Sequence, residues 1–215
     1  MSGNVLSAGW LDQAEVQEKP VWEETSAQAF APPLAGWNPE NFAQEQIRGL
    51  VRQVFFANGP RPVRQVVFSA VEAETELWSI CRRVAEALAL ETTGRVAVAG
   101  RNRPVSVRRG KLWTIRAEEN DGEVVTASAL HAHLQGLRAE FEYSIVEAPP
   151  AGESHEAAAM AQFADGIILV LSAQRTRRAT ACKIKESLER AQVRMLGTVL
   201  NDRLFPIPEV IYRRL

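Results

Sequence analysis

Apolar and polar residues alternate along this chain with two different periods. Phe42, Ile47, Leu50, Val51, Val54 and Phe55 recur at helical spacing. Asn38-Pro39 ahead of them supplies a capping side chain and a proline at the first helical position. A helix is therefore predicted from that point to about Phe56, where Asn58-Gly59-Pro60 stops it. Short apolar runs then alternate with helical patterns. Strands are predicted at 63–68, 96–98, 112–115, 144–146, 166–171 and 193–200, and helices at about 75–90, 127–140, 157–163 and 176–191. Glycines and prolines bound most of these segments.

Strands separated by helices of this length predict an α/β fold: a doubly wound, mainly parallel sheet with helices on both faces. Right-handed crossovers then place any ligand at the carboxyl ends of the strands. Residues 1–37 have no sustained period and carry isolated aromatics (Trp10, Trp22, Phe30, Trp37); they read as an irregular arm ahead of a domain at 38–215.

Composition narrows the functional classes. A 215-residue chain with 46% hydrophobic and 24% charged residues suffices for one domain with a sizeable core. A net charge of −1 argues against holding nucleic acid by bulk electrostatics. No apolar run approaches the ~20 residues that span a bilayer, so the expectation is a soluble, cytoplasmic protein without direct membrane insertion. Cys81 and Cys182 read as two buried thiols in a reducing compartment. His131, His133 and His155 lack zinc-type spacing with cysteines, and no metal site is expected.

The first core strand is followed by Ser69-Ala70-Val71-Glu72-Ala73-Glu74-Thr75-Glu76-Leu77-Trp78. This turn resembles the phosphate loop of the bacterial tyrosine autokinases, a ParA/MinD-related P-loop family that regulates capsule and exopolysaccharide assembly. The family pattern there is Ser-Ala-x-Pro-Gly-Glu-Gly-Lys-Thr-Thr. Ser69, Ala70 and Glu74 match it. Glu72 stands for the proline, Ala73 and Thr75 for two glycines, Glu76 for the lysine, and Leu77-Trp78 for the Thr-Thr pair. A phosphate loop needs glycines so that backbone N–H groups can approach the phosphates, a lysine to neutralise them, and a hydroxyl for magnesium. A single like-charge contact across ~4 Å at an effective dielectric near 20 costs about 4 kcal/mol. Glu76 therefore opposes a triphosphate, and Trp78 is expected to fill the volume a nucleotide would occupy.

Three further stretches carry the resemblance. After the second strand the family has Asp-Ala-Asp-x-Arg-Arg-Pro; here Val98-Ala99-Gly100-Arg101-Asn102-Arg103-Pro104 keeps Arg103-Pro104 but has Val98 and Gly100 in place of both aspartates. Those aspartates hold magnesium and activate the attacking hydroxyl in the family. Tyr143-Ser144-Ile145-Val146-Glu147-Ala148-Pro149-Pro150 resembles its Walker B strand, with Glu147 in place of an aspartate. From Phe163-Ala164-Asp165-Gly166 to the end, the match is closest.

The resemblance implies that Asn201 is a relic of an adenine contact. It also implies that Glu45 and Arg48 keep two of three members of an oligomer motif, and that Tyr212 is the one tyrosine near the end to serve as phosphate acceptor. No catalytic residue is assigned, and no cofactor is expected. The function implied is a catalytically inactive module of exopolysaccharide biosynthesis. Its partner would be a polysaccharide co-polymerase in the membrane, a kinase paralogue or copies of itself, and the partner would hold it at the inner membrane face. The alternatives are an active, divergent autokinase using ATP and magnesium, and a ParA/MinD-like scaffold for an unrelated partner. Two basic runs (Arg101, Arg103, Arg108, Arg109 and Lys111; Arg175, Arg177 and Arg178) are expected at the carboxyl ends of strands, either as an anion-binding surface or as solvated loops.

Overall fold

A computed structural model describes residues 39–57, 61–101, 107–116 and 126–202. The arm at 1–37, Arg103 and Tyr212 lie outside the described residues. The first helix, α1, spans Pro39–Phe55, and strand β1, Gln65–Ala70, leads to α2, Leu77–Glu91. The strands β2 (Val96–Gly100), β3 (Val107–Arg109) and β4 (Leu112–Arg116) precede α3 (Ala127–Glu140). The chain continues through β5 (Tyr143–Glu147), α4 (Glu156–Phe163), β6 (Gly166–Ser172), α5 (Arg178–Arg190) and β7 (Met195–Asn201).

Among the described residues these strands form one sheet in the order β3-β4-β2-β5-β1-β6-β7. Every neighbouring pair is parallel except β3 with β4. All six residues of β1 are buried, as a central parallel strand covered on both faces requires. Its alternate residues enter two cores. Val66, Phe68 and Ala70 pack with Val51, Phe55, Ile80, Val84 and Leu88 of α1 and α2. On the other face Val67 packs with Leu134, Leu137, Met160, Ile184 and Leu188 of α3, α4 and α5. Gln65, polar yet buried, donates from Nε2 to the Leu134 carbonyl at 3.0 Å and ties β1 to α3. The Thr126 hydroxyl caps α3 by accepting from the Ala129 N–H at 3.2 Å.

Three expectations are corrected. The stretch read as a basic loop contains a strand: Gly110, at φ +61°, turns the chain so that Arg109 pairs with Leu112. The hairpin carries Arg109 and Lys111 to the amino ends of the parallel strands, the rim opposite Arg101. The run therefore forms no single surface. Helix α5 starts at Arg178 rather than Thr176, whose hydroxyl is engaged elsewhere. Cys81 is buried as expected, but Cys182 is exposed, on the outer face of α5.

Candidate functional site

Doubly wound sheets place ligands beyond the carboxyl ends of their strands. At that edge the chain leaving β1 is pinned on both sides. The Val71 N–H donates to the Val170 carbonyl at 3.0 Å, and the Ala151 N–H donates to the Ala70 carbonyl at 2.8 Å. Ser69 is fully buried, and its Oγ donates to the Pro149 carbonyl at 2.7 Å. A β-carbon on Gly152 would come within 2.5 Å of the Val71 carbonyl oxygen, so the loop after β5 lies directly against the loop after β1.

The turn itself is held by a side-chain bridge that sequence reasoning missed. The Thr176 hydroxyl accepts from the Ser172 N–H at 2.9 Å and donates to Glu72 Oε2 at 2.6 Å. It thus joins the loops after β1 and β6 through the residue expected to begin α5. Only spatial proximity reveals the bridge, since its partners are 104 positions apart. Beyond Glu72, the Thr75 N–H reaches the Glu72 carbonyl at 3.3 Å and the Leu77 N–H reaches the Thr75 carbonyl at 2.7 Å. Ala73, Glu74 and Glu76 are exposed, whereas Thr75 is half-buried. Glu76 occupies the N-cap of α2 without a side-chain capping bond. Leu77 is buried in the core.

Trp78, half-buried at the start of α2, lies over Gly100 at the end of β2. A β-carbon there would meet the Trp78 ring at 2.8 Å and Glu147 Oε2 at 2.4 Å. The indole, the glycine and the carboxylate that ends β5 thus form one contact. Arg101 forms an ion pair with Glu156 at the start of α4. At the end of β7, Asn201 Nδ2 donates to Asp202 Oδ1 at 3.1 Å, and the Asn201 carbonyl accepts from the Ala173 N–H at 2.8 Å. Asp202 has φ +55°, and its Oδ2 accepts from Ser172 Oγ at 3.3 Å.

The structure therefore gathers Ser69, Glu72, Glu74, Glu76, Trp78, Gly100, Glu147 and Asn201 at one edge, with Arg175, Arg177 and Arg178 exposed beside them. Glu45 and Arg48 stand apart on α1, where they form an exposed ion pair of 2.7 Å. Asp165 lies at the opposite rim, just before β6. Burial pushes its carboxyl upward, but Arg138 and the N–H groups of Arg64 and Gln65 outweigh that effect and hold it below the ordinary range. Among the described residues no three His, Cys, Asp or Glu side chains converge as a metal-ligand set, and no helix is long and apolar enough to cross a membrane.

No protein-family model matches the chain. In sequence it is similar to the tyrosine-protein kinase CpsD of Streptococcus agalactiae, 37% identical over 68 residues. That stretch covers 32% of this chain and 29% of CpsD, so less than a third of the relative's length is matched. In structure the chain is similar to the kinase domain of the Escherichia coli tyrosine kinase ETK, with a TM-score of 0.68 at 18% identity; the match covers 86% of this chain and 87% of that domain. The MinD protein of Aquifex aeolicus, in its complex with MinC, superposes with a TM-score of 0.54 at 14% identity, covering 70% and 72% of the two chains. The fold is thus the α/β fold common to the bacterial tyrosine kinase domains and the ParA/MinD group.

Proposed function

We propose that this chain, a relative of the bacterial tyrosine kinases typified by CpsD, serves exopolysaccharide assembly as an interaction module that does not bind ATP. The supporting observation is the turn between β1 and α2. It presents Glu72, Glu74 and Glu76 where a phosphate cradle would present backbone N–H groups and a lysine, and Glu72 is already bonded to Thr176. A triphosphate placed there would meet carboxylates. At ~4 Å and an effective dielectric near 20, each such contact opposes binding by about 4 kcal/mol. The side chains of Ala73 and Thr75 would obstruct the close backbone approach that glycines allow.

A module of this kind keeps its fold in order to be recognised. Its partner in this reading is a membrane polysaccharide co-polymerase, an active kinase paralogue or another copy of itself, and that partner holds it at the inner face of the membrane. Calorimetric titration of the full chain with ATP and magnesium is expected to give no binding in the micromolar range, and incubation with labelled ATP to leave the protein unmodified. Micromolar affinity or autophosphorylation would overturn the reading.

A second reading, a divergent but active autokinase, has one observation in its favour: Glu147 ends β5 at the candidate edge, beside Gly100 and Trp78. Under that reading, Glu147→Ala abolishes a measurable phosphotransfer; under the first there is no phosphotransfer to abolish.

A further inference from the structure

The rim opposite the candidate site has a composition that only the topology brings together. The residues standing immediately before the six parallel strands are Arg64, Arg95, Lys111, Glu142, Asp165 and Arg194. Arg109, the last residue of the antiparallel β3, joins the same rim because it pairs with Leu112. Five of these seven strand ends are therefore cations, and all five are exposed. Of the two carboxylates, Asp165 is already paired with Arg138 at 2.8 Å and with two backbone N–H groups. None of the five cations forms an ion pair with a described carboxylate. Neighbouring strands are ~4.8 Å apart, so the row extends for about 29 Å.

We propose that this rim is a docking surface for an anionic phospholipid bilayer, against which the domain rests peripherally without inserting. The argument is one of charge and shape. Guanidinium and ammonium groups on the row match phosphate headgroups. In this fold the helices run back against the strands, so the ends of α2, α3 and α5 flank the row on both sides. The result is a broad face with a central row of five cations, interrupted by Glu142 and Asp165, which suits a plane better than a single polymer strand. Arg108 lies over the half-buried Trp113 ring at 5.3 Å and Arg95 over the buried Phe141 ring at 5.6 Å, so both guanidinium groups are held at the hairpin end by ring faces. Complementing the helix carboxyl ends also accounts for Arg95 and Arg194, but not for Arg109 on its hairpin. The proposal does not depend on the kinase-like reading.

Sedimentation of the full chain with vesicles tests it. At low salt the protein is expected to co-sediment with phosphatidylcholine vesicles containing about a third phosphatidylglycerol, to stay free with phosphatidylcholine alone, and to be released as salt screens the charges. Each cation near such a surface contributes about fivefold to affinity, so the triple variant Arg64→Gln, Arg109→Gln, Arg194→Gln should lose about a hundredfold. Neutralising Arg175, Arg177 and Arg178 at the opposite edge removes the same net charge and should leave adsorption within about threefold, because a planar contact at one rim does not reach them. Absence of adsorption by the wild type, equal losses in the two triple variants, or equal binding to neutral vesicles would each overturn the proposal. So would displacement from the vesicles by duplex DNA at equal phosphate concentration, which would make the surface a general polyanion site.

Discussion

Replacing Asp165 by alanine tests whether the sheet's central register depends on one carboxylate. Asp165 Oδ2 accepts from the Arg64 N–H at 2.7 Å and the Gln65 N–H at 2.8 Å, and Oδ1 accepts from Arg138 Nη2 at 2.8 Å. The Asp165 N–H in turn donates to the Gln65 carbonyl at 2.9 Å, so this residue fastens the start of β6 to the start of β1. Hydrogen bonds to a charged group contribute about 1.5–3 kcal/mol each when buried, but this rim is open to water, so about 1 kcal/mol per orphaned N–H is appropriate. The Arg138 pair is partly exposed and adds about 0.5 kcal/mol. Asp165→Ala should therefore cost about 2–3 kcal/mol, read as a lower urea midpoint at unchanged slope, or as a Tm lower by about 4–12 °C for a domain of this size. The pH dependence has a fixed sign. A carboxyl held below its unfolded value contributes stability that is fully present above the ordinary carboxylate pKa of about 3.9 and disappears as pH falls through the depressed value. The difference between wild type and variant should be flat from neutral pH to about 5 and shrink as pH falls below about 4, as the charge-dependent part is lost. A variant within about 0.5 kcal/mol of wild type at neutral pH, or a difference that grows as pH falls, would refute the reasoning.

Two further outcomes follow from the candidate edge. Gly100→Ala should destabilise the fold by about 1–3 kcal/mol, because its β-carbon collides with the Trp78 ring and Glu147; in a Trp78→Ala background the added cost should shrink, which a double-mutant cycle in urea would measure. Thr176→Val should cost about 1–2 kcal/mol by removing the bridge to Glu72 and Ser172, and amide exchange should quicken at Glu72, Ala73 and Glu74 while the β1 amides stay protected.

The parts of this fold that depend on local pattern were readable from the residues. The apolar runs of β1 and β6 and the spacing of Leu130, Leu134 and Leu137 in α3 placed three elements to within about two residues, the usual uncertainty at element ends. What escaped was set by long-range contact. Val107, Arg108 and Arg109 look like a solvated loop, and become a strand only because Gly110 folds them against β4. Thr176 resembles a helix start, yet its hydroxyl is claimed by a glutamate 104 positions away. The acidic character of the turn between β1 and α2 is legible in the string. Its bridge from Glu72 to Thr176, and the gathering of cations at the far rim, require the topology.

The short hairpin at the margin of the sheet has one more consequence. β3 is three residues long and bears two arginines, which makes it a poor template for recruiting another strand. The margin formed by β7 is seven residues long, with Leu200 55% exposed. Among the described residues one margin is blunted and the other is a full-length strand, so strand-to-strand joining of copies through that second margin would pair two molecules without extending into a continuous ribbon.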